Sequence, residues 1–396
     1  MLFSRCTNWD LTPSVFGKAW EEAVSQDQGL CDLTISNPMS VGLLYPHHEM
    51  AEIWHKTICL PYKPVAFGIE QAREAVCRYG KMRGWRNTID SKQIMLTAST
   101  SEAYTYVLRL LADPGDAVLI PRPSYPLLDY LAHLCGIELQ YYDLQPDLDW
   151  AIDFESMRQL ISSRTRAIIV VSPNNPTGSC LKRDELQQLA EICRQFGLAL
   201  IADQVFADYQ LVSNSDIISQ IANTDLLDDL LWFSMEGLSK TLGMPGLKLA
   251  WTTIGGQPHL QNEAIARLEL IADTFLSVNM PVQLALEQLL MLAPIIQQQI
   301  RARIEANLKL LSELLCEQPI SLLPVEAGWS ANLLFPEVID DQTLATHLLQ
   351  TAQVVIYPGS LFGFAHPHYL SLSLLTPPTN LIHGIQTLLD VLTQTL

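Results

Sequence analysis

The chain has 396 residues, 48% of them hydrophobic and 17% charged, which excludes a disordered chain and suits about two packed domains. Its formal net charge of −18 repels nucleic-acid phosphates and anionic lipid heads, yet leaves room for a small anionic ligand held by helix N-termini and a local cation. The eight cysteines are scattered without Cys-x-x-Cys or zinc spacing, no apolar run reaches the roughly 18 residues of a membrane span, and residues 1–10 lack the apolar core of a secretion signal. These features predict a cytoplasmic protein that binds neither nucleic acid nor membrane and uses no metal.

Short β-branched and apolar runs at 94–98, 117–121, 167–172, 198–203, 231–234 and 249–254 predict strands, and segments between them, such as 184–196, carry a helical pattern. The alternation predicts an α/β domain with a largely parallel sheet covered on both faces. From about 281 to 316 the pattern is helical. Two short strands (352–356 and 369–375) and a closing helix then predict a smaller α+β unit. No repeat, low-complexity tract or flexible linker interrupts the chain, so the join reads as a continuous helix. The expected division is a larger domain over 37–285, with 1–36 and 286–396 forming an N-terminal arm and the smaller domain.

Five segments carry candidate chemistry. Ser99, Thr100 and Ser101 lie between a strand and a helix, where exposed N–H groups and hydroxyls make an anion seat or an ordinary N-cap. Ser172-Pro-Asn-Asn-Pro-Thr-Gly178 follows a strand and reads equally as a turn. Asp203 ends an apolar run at the strand edge where open α/β sheets bind ligands, although a loop or capping aspartate would look the same. Lys240 sits in Gly237-Leu-Ser-Lys-Thr-Leu-Gly-Met-Pro-Gly-Leu-Lys-Leu-Ala-Trp251. An amine held off the surface on such a turn loses its proton more easily and can form an imine, whereas most lysines are solvated charges. Tyr125, in a Pro-rich loop after a strand, is either a site residue or a core tyrosine.

In this order and spacing the segments resemble the class I/II aminotransferases of fold type I, enzymes dependent on pyridoxal 5′-phosphate (PLP). The resemblance runs from about residue 30 to the C-terminus. It implies a large domain with a seven-stranded, mostly parallel sheet, a smaller α+β domain, and a homodimer with shared active sites. It further implies that Lys240 forms the Schiff base and that Asp203 keeps the pyridine nitrogen protonated. Asn175 would bond the phenolic oxygen, Tyr125 stack on the ring, and Ser99, Thr100 and Ser101 hold the phosphate. Lys248 stands where most relatives carry an arginine to that phosphate, keeping the charge but losing the bidentate fork. Tyr62 matches a tyrosine that reaches the neighbouring subunit's phosphate, and Ser36-Asn-Pro38 matches a segment that closes over the substrate.

Two positions depart from the pattern. Phe206 replaces a tyrosine that donates to the phenolic oxygen, which should raise the pKa of the imine. Ser371, in Tyr369-Leu-Ser-Leu-Ser373, replaces the arginine that grips the substrate carboxylate. Either another cation replaces it, with Arg122, His47, His48, His366 and His368 as candidates, or the carboxylate is held differently, or the substrate has none; residues 328–332 are expected to line the same pocket. The implied activity is transfer of an amino group between an amino acid or related amine and a 2-oxo acid. A lyase, cyclase or decarboxylase of the same fold, or a non-catalytic binding protein, are the alternatives.

Overall fold

Alternating burial on two faces organises the centre of the protein. In Thr165–Val171, Ile168 and Val170 point into one core while Ile169 points into another, so the stretch from Ala167 to Val171 is apolar rather than alternating with polar residues. Each such fully buried side chain contributes roughly 1.5–3 kcal/mol relative to exposure. The computed structural model describes residues 2–25, 29–57, 64–86 and 88–395.

The strands in chain order begin with β1 (Cys31–Asp32), β2 (Ile94–Thr97), β3 (Ala117–Arg122), β4 (Glu138–Gln145) and β5 (Ala151–Ile152). They continue with β6 (Thr165–Val171), β7 (Ala199–Asp203), β8 (Leu231–Gly237) and β9 (Ala250–Gly256). The last are β10 (Ser321–Leu322), β11 (Ser330–Leu334), β12 (Val354–Val355), β13 (Tyr357–Pro358) and β14 (Tyr369–Ser373). The main sheet has the order β2-β9-β8-β7-β6-β3-β4-β5. Pairing is parallel from β4 through β3, β6 and β7 to β8, and β9 runs against both its neighbours. The seven expected strands are present, and the two-residue β5 extends the edge as an eighth by pairing antiparallel with β4.

The helix Arg183–Phe196 starts where Glu185 accepts the Lys182 N–H (2.9 Å) and stops at Gly197 in the left-handed region. The join is a single helix, Met280–Leu314, opened by Asn279, whose side chain accepts the Val282 N–H at 3.1 Å. By length and composition alone this helix is apolar enough to cross a membrane, an exception to the expectation from the sequence. Half of its most apolar window is buried, with Leu286, Leu289 and Ile300 in the protein core.

A second, antiparallel sheet has the order β10-β11-β14-β13. Near the N-terminus, β1 pairs in parallel with β12, with Cys31 opposite Val354. The second sheet is held against the first through the loop after β6. The Glu326 and Ala327 N–H groups donate to the Gly178 carbonyl (3.1 and 2.9 Å), and the Asn332 side chain donates to the Pro176 carbonyl at 2.7 Å.

Gly178 is required at this junction. Its φ is +73°, and a Cβ there would lie 2.8 Å from the Ala327 carbonyl oxygen and 2.9 Å from Val325 Cγ1. Gly178→Ala should therefore destabilise the fold by roughly 2–4 kcal/mol, combining backbone strain with overpacking. Urea denaturation checks this, and a loss below about 0.5 kcal/mol, the scale of an ordinary surface substitution, would mean that the junction yields freely.

Candidate active site

The carboxyl ends of β6, β7 and β8, the start of helix Thr100–Leu111 and the β11–β14 edge enclose a cavity of about 610 Å³. Open α/β sheets bind ligands at this edge because the connections part there. The cavity brings together Ser99, Thr100, Ser101, Tyr125, Asn175, Asp203 and Lys240, together with Ser36, Phe206, Trp329 and Ser371. Tyr62 lies outside the described residues. Lys248 is exposed on the turn before β9, with φ +51°, and does not line the cavity.

Lys240 is delivered by β8. Gly237 ends that strand pressed on β9, where a Cβ would stand 2.9 Å from Ala250 Cβ, and the single turn Leu238–Thr241 follows. The Tyr209 hydroxyl donates to the Lys240 carbonyl at 2.6 Å, fixing the backbone. The amine lies 4.7 Å from the centre of the Trp329 ring and 5.1 Å from that of Phe206. Burial pushes its pKa down to about 8, and the nearby Asp203 carboxylate partly opposes the shift.

Asp203, at the end of β7, is treated in the opposite sense. Burial raises its pKa to about 6, against the Val205 N–H donating to Oδ1 (3.2 Å), the Tyr104 hydroxyl donating to Oδ2 (3.1 Å) and the Lys240 charge. The site thus holds an amine and a carboxylate that both change charge near neutrality.

Behind the lysine turn lies a buried polar cluster. Arg83 bridges Asp208 (2.9 Å) and Glu236, and the Gln220 side-chain N–H donates to Glu236 at 2.8 Å. Gln297 donates to Tyr79 Oη (2.9 Å) and to the Thr241 carbonyl (3.1 Å), tying the cluster to the turn. Burial raises the Glu236 pKa, the Arg83 charge opposing it.

At the anion seat, the Ser99 hydroxyl accepts the Glu102 N–H at 3.2 Å, and the Thr100 and Ser101 N–H groups have no intrahelical acceptor. The Glu102 carboxylate is engaged by the Ala98 N–H (2.7 Å) and the Ser277 hydroxyl (2.6 Å). The Ser330 hydroxyl donates to Asn175 Oδ1 at 3.3 Å, which leaves the Asn175 amide N–H groups for a ligand.

None of the candidate substitutes for the arginine at position 371 lines this cavity. Arg122 is paired with Asp143 at 2.7 Å and, with His366, lines a separate cavity of about 430 Å³. His48 faces Glu52 at 3.3 Å, His47 is exposed, and His368 packs edge-on against Phe335.

Tyr104 and Tyr209 escaped the reading of the sequence. Tyr104 had a usable signal, since it lies three residues beyond Ser101 and so shares its helix face. Tyr209 had none, because only the packing of the chain brings its hydroxyl to the lysine turn.

Comparison with known proteins agrees with this geometry. A family model described as aminotransferase class I and II matches residues 64–388. The glutamate-pyruvate aminotransferase AlaA of Escherichia coli is 30% identical over 255 residues, 64% of this chain and 62% of that protein. An alanine aminotransferase of Mycobacterium tuberculosis is 30% identical over 367 residues, 90% of this chain and 84% of that one. The chain thus spans 62% of the first of these relatives. Among solved structures, an alanine aminotransferase from Pyrococcus furiosus superposes with a TM-score of 0.88 at 22% identity, covering 99% and 100% of the two chains. An aspartate aminotransferase from Thermus thermophilus superposes at 0.85 and 22%, covering 98% and 99%. At such identities these likenesses establish the fold, which is fold type I. The chain belongs to the class I and II aminotransferase family, and the cofactor of that family is PLP.

The described residues fit that cofactor: a withdrawn amine, a buried carboxylate and a free helix N-terminus open on one cavity. Because only the neutral amine reacts, the rate of PLP uptake by cofactor-free protein should rise with pH through a midpoint at about 8. Asp203→Asn should move that midpoint lower, since the lost charge was raising the lysine pKa. Stopped-flow absorbance reads both, and a midpoint at the ordinary lysine value of 10.5 would mean that Lys240 is solvated.

Proposed function

We propose that the protein is an aminotransferase, moving an amino group between an amino acid or related amine and a 2-oxo acid, with Lys240 as the residue that carries PLP. One observation carries the reading: Lys240 and Asp203 are the two charged residues lining the cavity among the described residues, and both are brought toward neutrality.

When bound, PLP supplies an aldehyde that accepts an amino group and a ring that withdraws electrons from the adjacent carbon. The Lys240 amine, largely uncharged above about pH 8, anchors the cofactor. Once released, its Nζ takes the proton from the substrate carbon bearing nitrogen and returns it on the cofactor side. Asp203, ionised above about pH 6 and kept in place by Tyr104 and the Val205 N–H, would hold the proton on the ring nitrogen. Ser99, Thr100 and Ser101 would hold the phosphate. Asn175 would bind the phenolic oxygen and Tyr125 would cover one face of the ring. Trp329 and Phe206 keep water from the amine.

The same reading assigns residues 37–285 to the cofactor-binding domain, and 1–36 with 286–396 to the arm and smaller domain. It makes the protein a cytoplasmic homodimer with shared active sites, Tyr62 reaching the partner's phosphate. Two observations support this. The described cysteines are all free, and an open depression of about 370 Å³ is lined by Val65, Leu276 and Met280.

Purified protein should be yellow after addition of PLP, and Lys240→Ala should abolish that band or leave loosely held cofactor. Asp203→Ala should keep cofactor binding but slow exchange of the substrate Cα proton by about 100-fold or more, as read by NMR in deuterated water. Protein that takes up no PLP would overturn the assignment, and undiminished exchange would remove Asp203 from the ring nitrogen.

A further inference from the structure

The substrate end of the cavity, beyond Lys240, is built from neutral groups. Hydroxyls of Ser330, Tyr357 and Ser371 line it, beside the apolar surfaces of Trp329, Leu361 and Phe362. Ser371 is 2% exposed and lies opposite Asn332 and Tyr357 in its sheet, so the floor of this end is a packed strand pair rather than a loop open to solvent. Asn332 lies beneath this floor, outside the cavity wall, with a side-chain N–H spent on the Pro176 carbonyl. Lys240 and Asp203 are the charges at the wall among the described residues, and both are engaged with the cofactor in the reading above.

No other described cation is placed to enter. Arg122 would have to leave Asp143 and pass the 359–364 loop, whose Leu361 and Phe362 face this cavity while Phe364 faces the neighbouring one. A carboxylate placed at this end would therefore lose water and find hydroxyls but no counter-charge among the described residues of this chain, which costs far more than burying a neutral group of the same shape.

We propose that the amine this cavity selects is a primary amine whose remaining groups are uncharged, an arylalkyl amine being the chemical class that fits its wall, in preference to an α-amino acid. The inference rests on the aminotransferase reading. The transfer balances without any further reagent: R–CH2–NH2 and the cofactor aldehyde give R–CHO and the cofactor amine. The amine carbon is oxidised by two electrons and the aldehyde carbon reduced by two, while the one water released on condensation is consumed on release. The 2-oxo acid, whose carboxylate meets only hydroxyls, is then the weaker-binding partner, with the higher KM.

Matched pairs test the proposal on the PLP-loaded protein. 2-Phenylethylamine and L-phenylalanine share a skeleton and differ by one carboxylate. The amine should bleach the yellow band and yield phenylacetaldehyde, half-saturating at about ten- to a hundredfold lower concentration than the amino acid, the range of one charge-assisted contact. Calorimetry with the non-reacting pair 3-phenylpropanamide and 3-phenylpropanoate should show the neutral compound binding more tightly by a similar factor. Ser371→Arg, which adds a cation at the floor, should reverse both orders.

Equal or tighter binding of L-phenylalanine and of 3-phenylpropanoate by the unmodified protein would overturn the proposal while leaving the aminotransferase assignment intact. Failure to take up PLP, or transfer from no amine at all, would instead overturn that assignment, and the calorimetric pair would still decide the charge preference. If Ser371→Arg does not fold, the comparisons on the unmodified protein suffice.

Discussion

Everything at this site depends on withdrawing one amine from water without cancelling its reactivity. Lys240 stands against two aromatic rings, which destabilises the ammonium by desolvation, and Asp203 is close enough to limit that effect but too well held by Tyr104 and Val205 to close into a contact ion pair. A tight pair would lock the lysine in its charged form, and complete isolation would push its pKa far below neutrality. The intermediate arrangement leaves a neutral nucleophile and an ionised carboxylate side by side above about pH 8.

Such positioning needs a stiff backing, and the protein supplies it with buried charge rather than with hydrocarbon alone. Arg83 lies between Asp208 and Glu236, and the chain connects each carboxylate to the site. Asp208 precedes Tyr209, which holds the Lys240 carbonyl, and Glu236 is the last residue before Gly237 and the lysine turn. A buried cluster of this kind contributes little net stability, because desolvation offsets its attraction. Its directional contacts nonetheless fix two backbone segments relative to each other, where apolar packing would tolerate sliding.

The main sheet and the residues at its edge were legible because their signals are local. Asp203 and Lys240 each close an apolar run, and Asn175 sits in a turn whose Pro and Gly announce the end of a strand. Phe206, read from its motif as replacing a tyrosine, has its ring 5.1 Å from the lysine amine. Other features depended on partners remote in the chain. Tyr209 and the Arg83 cluster acquire their roles only when the helix Glu70–Met82 packs beside the lysine turn. Position 248 shows the limit of reading by place in a motif: Lys248 adopts a left-handed backbone ahead of buried Leu249 and turns its side chain to solvent. The two-residue β5 was invisible because a pair so short carries no periodicity, and its partner strand alone defines it.

The pairing of Cys31 with Val354 has a consequence for the order of events during folding. The segment just after β1 contributes Thr34 and Ser36 to the cavity, yet the strand that anchors it lies more than 300 residues further along the chain. The main sheet can assemble from contacts close in sequence while its substrate side is still open. Parallel pairing across so long a loop is slow to form, since the closure entropy precedes any reward. Such a closure favours an order in which Lys240 and Asp203 are set by the sheet before the segment carrying Thr34 and Ser36 is drawn over them.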